Sequence, residues 1–174
     1  SVNDEIIHGI GTPERVLKSG DIVSMDVCVV YQGFVGDNTR TVVIGEASPE
    51  VSRLVKTTEE SMYVGIAQAL AGNRVGDISA AIQKYVEDAG YSVIREFTGH
   101  GVGRHLHEEP EVPNYGKAGT GALLRPGMTI AIEPMVAMGK PDIKIGSDGW
   151  TVYTLDGKPS SHSEHTVLIT DGEP

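Results

Sequence analysis

The sequence has little of what secreted, membrane or nucleic-acid-binding proteins need. Its single cysteine, Cys28, excludes an intramolecular disulfide and with it the framework of a small secreted domain. Its 14 basic residues are outnumbered by 24 acidic ones, and the formal net charge of −10 disfavours binding to phosphates. No run approaches the roughly 18 consecutive apolar residues of a membrane span, and residues 1–8 are too polar for a signal peptide. We therefore expect a soluble, cytoplasmic protein.

The length and the distribution of turn residues predict one domain over residues 1–174. With 39% apolar residues, the chain can bury one hydrophobic core. Its 22 glycines and 9 prolines fall between the periodic segments instead of gathering into a linker. We see no internal domain boundary.

Two helices are predicted between groups of strands. Ser48 is a good N-cap for a helix that begins at Pro49 and ends at Gly72. Asp77 caps a second helix, which ends at Gly90. Strands are predicted in a hairpin at 20–45 and at 91–96, 129–136, 150–155 and 163–169. This order predicts an α+β domain with the helices on one face of an antiparallel sheet.

The predicted hairpin contains two carboxylates where apolar side chains are expected. Asp26 interrupts the first strand, and Asp37 lies in the returning strand. With a two-residue turn at Tyr31 and Gln32, the two aspartates face each other on one face of the ladder. Like charges at that distance repel, and burying them is costly unless a cation lies between them. Two alternatives stay open: a metal site, or a different register that leaves one aspartate in water.

Three of the six histidines lie within residues 100–107, which are framed by glycines. Glycine lets the backbone approach a ligand closely, and histidine is a common metal ligand. A phosphate-binding loop is a poor interpretation, because no capped helix and no Lys-Ser/Thr ending follow. Since a lone histidine is more often a surface residue or a satisfied core residue, we keep that interpretation for His105, His162 and His165.

Two glutamates also stand where strands should bury apolar side chains. Glu133 interrupts the apolar segment 128–136, and Glu164 lies just before the apolar residues 167–169. Each could pair with a nearby Lys or Arg. Four carboxylates out of place on predicted strands, together with the glycine-framed His100, favour a metal site instead.

The order and surroundings of these residues resemble a known family. Asp26, Asp37, His100, Glu133 and Glu164 match the metal ligands of the methionine aminopeptidases, and the resemblance extends over residues 3–171. It is carried by Gly-His-Gly at 99–101, His-Glu-Glu-Pro at 107–110, Glu-Pro-Met at 133–135 and Asp-Gly-Trp-Thr-Val at 148–152. These motifs favour the bacterial-type subgroup over proline-specific relatives. The resemblance implies the pita-bread fold, a curved antiparallel sheet with helices on its outer face.

The resemblance also implies a reaction and a metal centre. The family removes the initiator methionine from nascent proteins with two divalent cations, and Mn, Fe or Co suits this oxygen-rich ligand set. Asp37 and Glu164 would bridge the cations, Asp26 would complete one site, and His100 with Glu133 would complete the other. The bridged cations would activate a water to hydroxide, and Glu133 would also shuttle its proton.

Further residues match family positions that contact the substrate. His107 resembles a catalytic histidine that stabilises the tetrahedral intermediate, and His8 resembles one beside the scissile bond. Trp150 would form a wall of the methionine pocket, whereas Leu106 stands where bacterial relatives usually carry an aromatic residue. The implied partners are nascent polypeptide N-termini and the ribosome, with neither nucleic acid nor a membrane.

The chain departs from the family before Asn3, where relatives carry a further stretch that supplies the helices of the first half. We therefore expect an N-terminally shortened catalytic domain with an uncovered apolar sheet face. A monomer is expected for the full-length family, and association between chains for this short form. Two other functions stay open: a peptide-binding module without catalysis, and an X-proline peptidase.

Overall fold

Every strand pairing in the structure is antiparallel. The computed structural model describes residues 1–172. Its strands are β1 (Glu5–Ile7), β2 (Ile22–Tyr31), β3 (Phe34–Val43), β4 (Ser92–Val93), β5 (Gly99–Gly101), β6 (Glu108–Val112), β7 (Thr129–Ile132), β8 (Met135–Ala137), β9 (Ile143–Ile145), β10 (Val152–Thr154), β11 (Ser160–His162) and β12 (His165–Leu168). The helices are α1 (Pro49–Ile66) and α2 (Val75–Asp88). The predicted α+β class and the order of strands, helices and strands are confirmed.

The strands form four hydrogen-bonded groups. Their orders are β1-β10-β9, β11-β8-β4, β12-β7-β5-β6 and the hairpin β2-β3. The predicted strand at 150–155 is shorter than expected and lies between β1 and β9. Among residues 1–172, no helix combines the length and the apolar content that crossing a membrane requires.

Helix α1 starts as predicted but ends earlier. The Ser48 side-chain oxygen accepts a hydrogen bond from the Val51 N–H at 3.3 Å, which confirms the N-cap. The helix ends at Ile66, and the prediction that it continues to Gly72 is wrong. The Gly72 N–H instead donates to the Leu124 carbonyl at 3.1 Å, so Gly72 contacts a distant part of the chain and is not part of the helix.

Helix α2 begins before the predicted cap. Its N-cap is Arg74, and Asp77 is the third helical residue, where its carboxylate accepts the Arg74 backbone N–H at 2.7 Å. A carboxylate in the first turn satisfies a free N–H group and complements the helix dipole. Gly90, with φ of 85°, follows the C-cap Ala89 and ends the helix as predicted.

The main core lies between the two helices and the sheet. Leu54 of α1 and Ile82 of α2 are fully buried in one cluster with Ile130 and Ile132 of β7. Because successive side chains of a strand point to opposite faces, Ala131 lies on the face away from the helices. That second face carries the candidate site.

One face of the hairpin β2-β3 is largely uncovered by residues 1–172, although the Arg104 guanidinium lies 4.8 Å from the centre of the Phe34 ring at its tip. Met25, Val27, Val29 and Tyr31 alternate along β2 and are between 46% and 73% exposed. Phe34, which pairs with Tyr31, is 54% exposed. The expected uncovered apolar face is therefore present in the described part of the chain.

The position of the core predicts a large effect for Leu54→Ala. Leu54 is fully buried, so its truncation should lower the free energy of unfolding by about 2–5 kcal/mol through lost burial and a residual cavity. Urea unfolding followed by circular dichroism measures this loss. Leu155→Ala is the matched control, because Leu155 is 56% exposed and should change stability by no more than about 0.5 kcal/mol. Equal losses in the two variants would contradict this description of the core.

Candidate metal centre

Two pairs of successive strands, β7-β8 and β11-β12, are each separated by a short break that contains a glutamate. The chain passes from β7 to β8 across Glu133 and Pro134, and from β11 to β12 across Ser163 and Glu164. Because β12 pairs with β7 and β11 pairs with β8, the two breaks lie opposite each other. The prediction of one continuous strand over 129–136 is therefore wrong. Pro134 lacks the N–H that a continuous ladder needs.

The hairpin has a different register from the predicted one. Gln32 and Gly33 adopt the left-handed conformation, so the turn lies one residue later than expected. Asp37 consequently faces Cys28 instead of Asp26. The partner of each residue moves by two positions, and the side-chain period of a strand is also two. Asp26 and Asp37 therefore still lie on the same face, as diagonal neighbours.

Hydrogen bonds join the hairpin to the sheet beside Glu164. The Glu164 N–H donates to the Thr39 carbonyl at 2.9 Å, and the Thr39 hydroxyl donates to Glu164 Oε2 at 2.9 Å. The Thr166 hydroxyl accepts the Asp37 N–H and donates to the Asp37 carbonyl, both at 2.9 Å. These contacts hold Asp37 next to Glu164, although the two residues are far apart in sequence.

Strand β5 brings His100 to the same place. His100 pairs with Ala131, on the face away from the helices. Its Nδ1 lies 2.8 Å from the Gly101 carbonyl, which can only accept, so Nδ1 carries the proton. The Nε2 lone pair then points toward the carboxylates. It lies 3.4 Å from Glu133 Oε1 and 3.9 Å from Asp37 Oδ2.

The five predicted ligands meet in one cluster, which Asp37 connects. Ligand atoms of Asp37, His100 and Glu164 all lie within 4.8 Å of one another. Those of Asp26, Cys28 and Asp37 meet the same limit. Cys28 is a neighbour that the incorrect register concealed. Its thiol donates to Asp37 Oδ1 at 3.0 Å, and burial, together with that bond, raises the pKa of the thiol to about 12.

The acidic side chains of this cluster repel one another. Burial and the charges of Glu133 and Asp37 raise the pKa of Glu164 to about 9, although the hydrogen bond from Thr39 opposes the rise. Burial and the charges of Asp37 and Asp26 raise the pKa of Glu133 to about 8. Divalent cations would supply the missing positive charge, and carboxylate oxygens with one imidazole are suitable donors for them. The residues present therefore fit a divalent metal centre.

His162 belongs to this cluster, which corrects the interpretation of it as a surface or satisfied core residue. It is 2% exposed, and its Nε2 lies 3.5 Å from Glu133 Oε2. That contact is not aligned as a hydrogen bond, and this nitrogen has no hydrogen-bond partner among residues 1–172. Its position two residues before Glu164, and so on the same side of an extended chain, was the available sequence signal. His105 is exposed, as expected.

His165 is the third of the histidines interpreted as surface or satisfied core residues. It is half-buried, and its Nδ1 is hydrogen-bonded to the Asn38 side-chain amide. Its ring also lies 5.9 Å from that of Tyr63, measured between centroids. The structure thus supplies His165 with partners of its own.

Aromatic rings border the cluster on its open side. The His8 ring stacks on Trp150 at 4.9 Å between centroids, and Phe97 meets His8 edge-on at 6.0 Å. Phe97 was not predicted from the sequence. The His107 ring meets the His100 ring edge-on at 4.4 Å. Burial lowers the pKa of His8, against the opposing charge of Asp26.

Leu106 is half-buried in the loop between β5 and β6, next to His107. Trp150 is 57% exposed. Leu106 therefore lies in the loop beside His107, and Trp150 lies against His8. Neither residue is part of the core.

Comparison with known proteins identifies the family. The sequence profile of metallopeptidase family M24 matches residues 1–171. The chain belongs to metallopeptidase family M24. As a member of a metallopeptidase family with this cluster of donors, it uses divalent metal.

Two methionine aminopeptidases are similar to this member of the M24 family along its whole length. That of Clostridium acetobutylicum is 50% identical over 174 residues, which are 100% of this chain and 70% of that protein. The crystal structure of that of Thermotoga maritima has a TM-score of 0.98 and 50% identity, with 99% of this chain and 70% of that chain covered. The expected pita-bread fold is confirmed by this match.

A more distant solved structure shares the fold alone. The prolidase from Pyrococcus horikoshii is 24% identical, with a TM-score of 0.76, and the match covers 99% of this chain and 44% of that one.

The raised pKa values predict how pH changes the stability of the metal-free protein. Between pH 4.5 and about 8, Glu133 keeps a proton in the folded state that it loses in the unfolded chain. The same holds for Glu164 between pH 4.5 and about 9. The free energy of unfolding should therefore fall as pH rises through this window. Urea unfolding in the presence of a chelator, at pH values from about 5 to 9, measures the slope.

A matched pair of variants isolates the contribution of the cluster. Glu164→Gln cannot ionise, so it should show a shallower fall in stability with pH than the wild type. Glu46→Gln changes an exposed glutamate outside the cluster and should keep the wild-type slope. Identical slopes for Glu164→Gln and the wild type would contradict the assignment of the pH dependence to this site.

Proposed function

We propose that this protein is a metal-dependent aminopeptidase that removes the N-terminal initiator methionine from nascent polypeptides. The observation that carries the proposal is the convergence of four carboxylates and His100 on one cluster, in a chain that is 50% identical to a methionine aminopeptidase. In this proposal the enzyme works in the cytoplasm and meets its substrates as they leave the ribosome.

We assign two divalent cations to the cluster, with Mn, Fe or Co as the suitable ions. Asp37 and Glu164 would hold both cations, and the membership of Asp37 in both groups of ligand atoms supports this shared role. Asp26 would complete one site, and His100 with Glu133 would complete the other. When bound, such a pair of cations lowers the pKa of water enough to provide a hydroxide nucleophile near neutral pH.

Glu133 is the proposed proton carrier. It accepts a proton from the attacking water and returns it to the leaving amine of the second residue. Its largely buried position beside His100 Nε2 supports this role, because a carboxylate held next to the reacting water can accept a proton and pass it on.

The aromatic border provides the proposed substrate contacts. His107 stabilises the tetrahedral intermediate, and its edge-on contact with His100, a proposed metal ligand, supports this role. His8, held against Trp150 by stacking, contacts the substrate backbone beside the scissile bond. Trp150, Leu106 and Phe97 form apolar surface for the methionine side chain.

A peptide assay tests this function. Purified protein with Mn or Co should release free methionine from a Met-Ala-Ser peptide, as measured by chromatography. Glu133→Ala should lower kcat by at least about 100-fold, because it removes the proton carrier, and should also weaken metal binding. Glu46→Ala, an exposed change outside the cluster, should keep wild-type activity.

Three results would contradict the proposal. Full activity of Glu133→Ala would remove the proton-carrier assignment. Tight binding of the peptide without release of methionine would indicate a peptide-binding module instead of an enzyme. A preference for X-Pro peptides over Met-Ala-Ser would indicate an X-proline peptidase.

A further inference from the structure

We propose that His162 is a positioning residue for Glu133: its Nε2–H donates to Glu133 Oε2 and so directs Oε1 toward the metal centre. The metal-binding part of this inference depends only on the cluster, whereas its effect on turnover rests on the proposed function. The inference starts from the buried nitrogen of His162, which lacks a hydrogen-bond partner among residues 1–172.

The backbone of His162 is fixed on both sides by one residue. Its N–H donates to Thr41 Oγ1 at 3.1 Å, and its carbonyl accepts the Thr41 hydroxyl at 2.6 Å. It also pairs with Met135, immediately after the break that contains Glu133. The imidazole is therefore anchored beside the glutamate, and small rotations of either side chain decide whether the two meet.

Glu133 lies between two imidazoles, one for each carboxylate oxygen. Oε1 is 3.4 Å from His100 Nε2, and Oε2 is 3.5 Å from His162 Nε2. The two contacts differ in kind, because His100 donates from Nδ1 to Gly101 and presents a lone pair at Nε2. A lone pair and an ionised carboxylate oxygen attract each other only through a shared cation or proton, whereas a protonated His162 Nε2 can donate directly to Oε2.

The backbone of Glu133 is fixed as well. The Asn114 side-chain amide donates to the Glu133 carbonyl at 3.1 Å, which leaves rotation of the carboxylate as the main freedom of this residue. A donor at Oε2 removes that freedom. A buried N–H without a partner is unfavourable, so formation of this bond stabilises the pair once the carboxylate is ionised beside a metal.

The geometry favours positioning over ligation. His100 Nε2 lies within 4 Å of two carboxylates, Asp37 and Glu133, whereas among residues 1–172 His162 Nε2 lies within 4 Å of Glu133 alone. Hydrogen bonds from such neighbouring residues to metal ligands commonly change metal affinity by about 10–100-fold when they are removed. We expect an effect of that size at the site formed by His100 and Glu133.

Two substitutions separate the hydrogen bond from the volume of the ring. His162→Leu fills the space but cannot donate, and should weaken Mn binding in calorimetric titration by about 10–100-fold. His162→Gln keeps an N–H donor and should restore binding to within about threefold of the wild type. His105→Leu is the control, because His105 is exposed, and it should bind Mn as the wild type does.

Turnover adds a readout that a purely structural role would not produce. In the Met-Ala-Ser assay, His162→Leu should lower kcat with little change in KM, and His162→Gln should recover kcat. Wild-type Mn affinity in His162→Leu would overturn the inference. Equal weakening in the Leu and Gln variants would also overturn it, because the imidazole itself would then be the ligand or the packing element.

The wild-type protein provides a test that does not depend on how the variants fold. Nitrogen-15 NMR of the Zn-loaded protein should show the proton of the His162 ring on Nε2. A ring protonated on Nδ1 alone would overturn the inference, whether or not the protein cleaves peptides. Failure of the peptide assay with this tautomer present would instead count against the proposed function.

Discussion

Repulsion among buried carboxylates is the constraint on which the rest of this site depends. Asp37 and Glu164 are less than a tenth exposed, and Glu133 lies beside them, so ionising all three without a counter-charge is unfavourable. The fold does not relieve this repulsion with Lys or Arg, because neither residue type among residues 1–172 forms an ion pair with these three carboxylates. The cluster is therefore electrostatically incomplete as a set of protein groups, and divalent cations complete it.

The irregular parts of the sheet place the ligands. A continuous strand would alternate its side chains between the helical core and the second face, and it would put adjacent residues on opposite sides. Interruptions at Glu133-Pro134 and Ser163-Glu164 replace this alternation at one level of the sheet. The regular strands on either side keep Ile132 and Val167 in the core. Regular pairing thus builds the core, and two opposed breaks create the site.

Much of this arrangement could be predicted because it depends on residue type at local positions. Carboxylates in apolar strands, glycines around His100, and the Ser48 cap can each be recognised from a few neighbouring residues. The hairpin register could not be predicted, since residues 31–33 allow two turns and the left-handed conformation of Gln32 decides between them. Even so, the predicted face of Asp26 and Asp37 is correct, because the error equals one side-chain period.

Features set by distant contacts could not be predicted. After α1 ends, the Gly72 N–H bonds to the Leu124 carbonyl, a contact that nothing near Gly72 indicates. His162 looked like an ordinary core residue because its environment comes from Thr41 and Glu133, both far away in the sequence. A histidine is identified as functional by its neighbours in space, and only the folded chain supplies them.

The uncovered face of the hairpin has a consequence for how the site is held together. Asp26 and Asp37 lie on a two-stranded ribbon that is packed on one side only within residues 1–172, whereas His100, Glu133 and Glu164 lie on strands attached to the helical core. Such a ribbon opens at lower free energy than the core, so its amide hydrogens exchange with solvent first in the metal-free state. Divalent metal bound by ligands from both parts would link the ribbon to the rest of the protein, and its binding free energy would then add to the stability of the whole fold.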